Sequence, residues 1–219
     1  MHRQDMDSVP EKGQIFVITA PSGSGKTTLI NTVRKSISGV GYSISHTTRN
    51  PREGEVNGLH YYFIDRVEFE KMIEAHEFVE WALVYGQLYG TSISSLNREL
   101  SSGKDLLMDL DVQGAKEMKR RFSESVLIFI LPPSIEILKE RLKRRSTDEE
   151  IHIDLRMKKA VEEIQRCRDY DFIVVNDDLN QAAREIEAIF TAQKACTNRR
   201  LPLVQKIFHI VGICNCRGK

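Results

Sequence analysis

The stretch "QIFVITAPSGSGKTTLI", residues 14–30, decides the fold. It begins as a short apolar run without alternation, the pattern of a strand covered on both faces. Two glycines and a lysine then crowd into a few positions before the spacing turns helical. Glycines packed this closely cost conformational entropy and mark a place where backbone must approach something. Between strand and helix, "APSGSGKT" (20–27) fits the phosphate-binding pattern G-x-x-x-x-G-K-S/T, with Ala20 in place of the first glycine. That departure is mild, because alanine needs only a permitted φ/ψ pair there.

Each residue type in the loop has a physical reason. Gly23 and Gly25 let successive N–H groups turn inward onto phosphate oxygens. A helix beginning near Lys26 adds its positive dipole end. Lys26 can reach the outer phosphates, and the Thr27 hydroxyl can ligate Mg²⁺. Pro21, Ser22, Ser24 and Thr28 complete the cradle. A glycine-rich turn with an incidental lysine is the plain alternative, which the full pattern in its strand–helix setting disfavours. The loop implies a nucleoside triphosphate and leaves open what is done with it.

Working outward, further apolar runs recur at "DLLMDL" (105–110), "VLIFIL" (126–131) and "DFIVV" (171–175), separated by helical spacing. "TTLINTVRKSI", "VQGAKEMKRRF", "IEILKERLKRR" after a capping Ser134, and "LNQAAREIEAIFTAQKA" supply the helices. The alternation predicts an α/β fold, a P-loop NTPase-type parallel sheet with helices on both faces. Residues 42–91 break the rhythm: "HYYFID", "FVEWALVYG" and "LYGTS", with turn signals at "GEVNG" and "YGQ", read as a mixed α+β insertion. It carries one helix around "RVEFEKMIEAH". The core is then 13–41 and 92–195, flanked by a flexible N-terminus (1–12) and an extension (196–219).

The totals exclude several classes. The 219 residues suit one domain with excursions, and 29% charged with 41% hydrophobic residues is ordinary for a globular protein. A net charge of +1 gives no global field for nucleic acid or membrane. The start of the chain has no apolar h-region, and no stretch reaches the length of a membrane span, so the expected location is cytoplasmic. The cysteines, Cys167, Cys196, Cys214 and Cys216, match no zinc or disulfide framework. "CNC" reads as two thiols in a tail rather than as a redox or metal pair.

The insertion holds the next cluster. "SHTTRNPREGEVNGLHYYF" sets Arg49 and Arg52 three apart beside a proline, with Tyr61 soon after. Two guanidinium groups on a stiff segment suit a phosphate dianion, although spacing alone describes two solvated arginines equally well. In "EFVEWALVYGQLYGTS", Glu80 either points to solvent by strand alternation or accepts hydrogen bonds from a base. Guanine offers two adjacent donors for a carboxylate, whereas adenine presents an acceptor.

Together "APSGSGKTTL", "SHTTRNPREGEVNGLHYYF", "EFVEWA", "YGTS", "LLMDLDVQGA" and "VVNDDL" resemble guanylate kinase, in order, from about residue 13 to 193. The resemblance implies transfer of a phosphoryl group from ATP, with Mg²⁺, to GMP. It places GMP on Ser45, Arg49, Arg52, Tyr61, Glu80, Tyr89, Thr91 and Asp111. It gives the "ERLKRRSTDEEIHIDLRM" region, about 141–160, as a lid whose Arg141, Arg145 and Arg156 close on the γ-phosphate beside Lys26 and Arg49. Asp109 would orient Mg²⁺ through water, and Asn176 and Asp177 would meet the adenine. The strand-end acids read equally well as helix N-caps.

The partners expected are GMP and ATP, without nucleic acid or membrane, and a homo-oligomer is compatible with the chain. A catalytically inactive binding module is the rival of another class, disfavoured by Lys26, Arg145 and Arg156. A kinase of a phosphorylated sugar is nearer, and Glu80, Thr91 and Asp111 speak against it because a sugar has no base to satisfy them. In the extension, "KIFHIVGIC" is apolar enough to dock on the core or on another subunit.

Overall fold

The computed structural model describes residues 13–101, 103–145 and 150–208; of Arg145, Glu150, Ile151 and His152 it describes the backbone alone. Strand β1 (Ile15–Thr19) runs into the glycine loop and helix α1 (Lys26–Ser36), followed by β2 (Val40–Tyr42). The insertion contributes β3 (His46–Thr47), β4 (Tyr62–Phe63), α2 (Arg66–Glu74), β5 (Phe78–Val84) and β6 (Gln87–Ser92). Then come α3 (Ile93–Ser101), β7 (Asp105–Asp109), α4 (Val112–Arg121), β8 (Val126–Leu131), α5 (Ile135–Arg145) and α6 (Glu150–Ile164). A 3₁₀ turn (Gln165–Asp169) leads to β9 (Phe172–Val175), α7 (Leu179–Lys194) and α8 (Thr197–Phe208).

The core sheet has the order β2-β7-β1-β8-β9, with every pairing parallel. Successive side chains of a strand point to opposite faces, so β1 feeds two cores at once. Phe16 and Ile18 pack with Leu29, Ile30 and Val33 of α1 and with Ile186 and Phe190 of α7. Ile15 and Val17 pack with Leu96 of α3 and with Ala115 and Met118 of α4. The Phe16 and Phe190 rings stack at 3.7 Å. Burial on both faces is why β1, β7 and β8 run apolar without alternation, whereas edge strand β9 leaves Ile173 and Val175 exposed.

The second sheet, β4-β3-β6-β5, is mixed: β3 pairs parallel with β4 and antiparallel with β6, and β5 pairs antiparallel with β6. Helix α2 closes it over Phe69, Phe78 and Leu88. Helix starts follow the capping acids: Asp65 accepts from Glu68 N, Asp111 from Gly114 N, and Asp178 from Gln181 N. Ser134 Oγ accepts from Ile137 N at 3.2 Å, as its place before α5 predicts.

Three elements carry no signal in the sequence reading. β2 is three residues at a sheet edge, and it keeps Tyr42 in the core sheet beside Leu107. α3 follows β6 without any turn residue between them. α8 contains Pro202, a helix breaker in most settings, and packs against α7. Arg199 Nη1 lies 2.9 Å from Asp105 Oδ1, both side chains nearly out of solvent at 9% and 2%. The same Asp105 oxygen accepts from Gln14 N at 2.9 Å. Helix α8 of the extension thus docks on the core through Arg199, at the end of the sheet where β1 and β7 begin, and "KIFHIVGIC" lies outside the described residues from 209 on. Cys214 and Cys216 lie outside the described residues.

Candidate active site

Ligands of open parallel sheets gather at the carboxyl ends of the strands, and the predicted residues collect there. The loop after β1 turns at Gly23 and Gly25, whose φ values are 93° and 83°. Gly25 is the N-cap of α1 and offers no side-chain partner to the first N–H groups of the helix, which therefore stay available to an anion. A Cβ at Gly25 would stand 2.6 Å from Asn176 Nδ2, so glycine is required by space as well as by φ.

Asn176, at the end of β9 and 6% exposed, donates from Nδ2 to Ser24 O at 2.7 Å. Its own carbonyl accepts from Arg141 Nη2 at 3.2 Å, and Arg141 Nη1 reaches Ser24 O at 3.4 Å. The resemblance gives Asn176 to the adenine; in this structure its amide N–H holds the phosphate loop. Asp177 beside it is exposed, and the helix cap is Asp178. Arg156 Nη2 donates to Ser22 Oγ at 3.1 Å. The Arg145 side chain lies outside the described residues. Leu138 and Leu142 of α5 come within 3.1 Å of where a Gly23 Cβ would be, so the loop rests directly on α5.

Lys26 donates to Leu110 O at 3.1 Å and forms an ion pair with Asp109. Asp109 is therefore a partner of the loop lysine and caps no helix; the cap is Asp111, two residues on. Thr27 and Thr28 are exposed on the first turn of α1. Ala20 and Pro21 frame the loop, and Ser24 N bonds back to Pro21 O at 3.2 Å.

Across from the loop, the insertion collects the other set. Arg49 Nη2 pairs with Glu55 Oε1 at 2.9 Å, and Arg52 N donates to Glu55 Oε2 at 2.7 Å. Burial pushes the Glu55 carboxyl up, but the Arg52 N–H and the Arg49 guanidinium together hold it below its usual range. Glu55 is a residue that sequence reasoning missed: an acid in a charged loop gives no signal until the fold wraps two arginines around it. Arg49 also bonds Tyr89 and stands 5.5 Å from the Tyr61 ring centroid, while the Arg52 side chain is exposed. Tyr61 and Tyr89 meet edge to face at 6.0 Å. Burial, then the Asp109 charge, raises the Tyr61 phenol well above its ordinary value, so it stays a donor.

Glu80 is the unusual group. The pairing of β5 with β6 slips between Phe78 and Glu80, a bulge that leaves Trp81 exposed and turns Glu80 inward, where it is 4% exposed. The Thr91 hydroxyl and N–H bond the carboxylate, yet Oε1 has no hydrogen-bond partner among the described residues. Burial first, with the Asp111 charge adding to it against the Thr91 hydrogen bonds, raises the carboxyl to about 7. A Cβ at Gly114 would stand 2.8 Å from Glu80 Oε2, so the glycine opening α4 leaves room for the acid. Ser45 Oγ lies 3.5 Å from Thr91 Oγ1, closing the pocket. A carboxylate so placed can accept from a planar group with adjacent N–H donors.

Comparison with known proteins agrees with this geometry. Residues 12–193 match the family model described as guanylate kinase. The chain is 49% identical over 183 residues to the guanylate kinase of Carboxydothermus hydrogenoformans, covering 84% of this chain and 90% of the relative. It is 44% identical over 197 residues to that of Geobacter sulfurreducens, covering 90% and 97%. The crystal structure of guanylate kinase from Anaplasma phagocytophilum superposes with a TM-score of 0.76 at 32% identity, over 92% of this chain and 98% of that one. With a family model spanning most of its length and relatives this similar, the chain belongs to the guanylate kinase family.

Proposed function

We propose that the chain transfers the γ-phosphoryl group of ATP to GMP, giving ADP and GDP, and so recycles GMP and dGMP in the cytoplasm. The observation that carries this reading is Glu80, a buried carboxylate whose Oε1 has no hydrogen-bond partner among the described residues. The N1–H and N2 amine of guanine satisfy it, with Asp111 taking a further N2 hydrogen and the Thr91 hydroxyl turning its one proton from the carboxylate to O6. Adenine would set its N1 lone pair against the carboxylate. A mismatch that leaves a buried polar group unpaired is rejected by about 10⁴-fold.

Ser45, Arg49, Arg52, Tyr61 and Tyr89 take the GMP phosphate, with Arg49 leaving Glu55 for the more highly charged partner. The loop from Ala20 to Thr28 takes the ATP phosphates, and Lys26 exchanges Asp109 for them. Arg141, Arg145 and Arg156 spread positive charge around the transferring group, which is most of what phosphoryl transfer asks of a protein. No strong general base is needed, because GMP brings its own nucleophilic oxygen and the site supplies position.

Among the described residues no three His, Cys, Asp or Glu side chains form a protein-only metal cage. The exposed Thr27 hydroxyl and the Asp109 carboxylate are hard oxygen donors beside the loop, a set that suits Mg²⁺ shared with nucleotide phosphates. When bound, that ion neutralises charge developing on the phosphate oxygens. No helix among the described residues is long and apolar enough to cross a membrane.

A coupled assay of ADP release, offering GMP, AMP, UMP and ribose bisphosphate separately, tests the reading. Turnover on GMP alone is expected. Equal turnover on ribose bisphosphate, or none on any acceptor despite ATP binding, would overturn it.

A further inference from the structure

Turn chemistry argues against Tyr85 where it stands. β5 and β6 are joined by two residues, Tyr85 and Gly86, with φ values of 50° and 79°. Two positive φ angles are the mark of the I′ hairpin turn, for which Asn-Gly is the preferred pair. A bulky side chain with positive φ is strained there, and strain retained in a turn points to work done by the side chain.

That side chain reaches across to α6. Lys159 Nζ stands 4.1 Å from the Tyr85 ring centroid, and the Arg156 guanidinium bonds the hydroxyl. Arg156, Lys159 and Glu163 are spaced i, i+3 and i+7, hence on one face of the helix. The same face touches the phosphate loop, where Arg156 Nη2 donates to Ser22 Oγ at 3.1 Å and Glu163 accepts from the Ser22 N–H. One helix face therefore joins the tip of the acceptor-side sheet to the loop on the donor side.

We infer that Tyr85 is a positioning residue that holds Arg156 against the phosphate loop, so that the acceptor-side hairpin and the donor site move together. The inference rests on the kinase reading above. The ring fixes Lys159 by its π face, and the hydroxyl orients the planar Arg156 fork beside the phosphate loop. These contacts of Tyr85 lie on α6 and not on the residues proposed for GMP, so its loss is expected to slow turnover without weakening GMP.

Four proteins test this: wild type, Tyr85→Asn, Arg156→Ala and the double variant. Asparagine relieves the turn, so Tyr85→Asn is expected to melt no lower than wild type. Its kcat is expected to fall about tenfold, the worth of one hydrogen bond to a charged group. KM for GMP stays within about twofold, and in the Arg156→Ala background the same substitution changes kcat by less than about twofold. Tyr85→Phe, which keeps the ring, falls between. An equal loss in both backgrounds, or no loss in the wild-type background, overturns the inference. Should wild type fail to phosphorylate GMP, the kinase reading falls, and the coupling is read from ATP affinity by calorimetry on the same four proteins. Non-additive affinities then sustain the link, and additive ones overturn it.

Discussion

A carboxylic acid kept from water holds its proton, and Glu80 shows what this does to both stability and recognition. Burial puts its pKa at about 7, above the 4.5 of an ordinary glutamate. The native state therefore binds this proton more tightly than the unfolded chain does. The resulting stability is fully present below pH 4.5 and is lost as pH rises through about 7. At 1.36 kcal/mol per pH unit, the window amounts to about 3 kcal/mol. Glu80→Gln removes that slope, so urea unfolding at pH 5 and pH 8 is expected to show the variant gaining on wild type at the higher pH. GMP needs the ionised carboxylate, so wild-type affinity for GMP rises more steeply over the same window than that of the variant, which keeps only the second ionisation of the phosphate at about 6. Parallel curves for the two proteins in either measurement would refute the assignment.

At the scale of elements, the docked helix α8 gives a separate prediction. Arg199 reaches Asp105 where both are nearly dry, and removing one partner of such a pair costs about 3–5 kcal/mol because the other charge stays buried. Arg199→Ala is expected to lower the urea midpoint accordingly while leaving KM for GMP and ATP unchanged, since the pair lies at the end of the sheet away from the site. A kinetic defect without a stability loss would contradict it. This helix also marks the limit of what the sequence tells. The phosphate loop was legible because local backbone demands choose its residues, as the φ values of Gly23 and Gly25 confirm. β1, β7 and β8 were legible because both faces are covered; β9, at the sheet edge, is as apolar in sequence although Ile173 and Val175 stand exposed. Strand alternation alone left the direction of Glu80 open, and only the bulge beside Phe78 settles it. The Asn176 contact with Ser24 and the Arg199 pair depend on segments far apart in the chain, and no local pattern encodes such meetings; Glu55 meets its arginines within six residues, in a charged loop whose spacing fits many pairings.

At the scale of the molecule, both cation sets rest on the protein's own acids: Lys26 on Asp109, Arg49 on Glu55. Phosphates arriving on either side compete for these cations and give the two sides of the cleft a reason to approach. X-ray scattering is expected to show a smaller radius of gyration with GMP and a non-hydrolysable ATP analogue together than with neither. Superimposable profiles would mean that the cleft is already set before substrates arrive.

The Asp105 clamp has a consequence in time as well as in space. Asp105 leaves the ribosome about 90 residues before Arg199, which at ~5–20 residues per second is about 5–20 s. Throughout that interval the nascent sheet can place β7 beside β1, with Gln14 N as a partner for the carboxylate, but the countercharge has not yet been made. The central strands thus acquire this electrostatic partner only after every strand of the sheet has been made, which makes α8 a lock on a sheet assembled earlier.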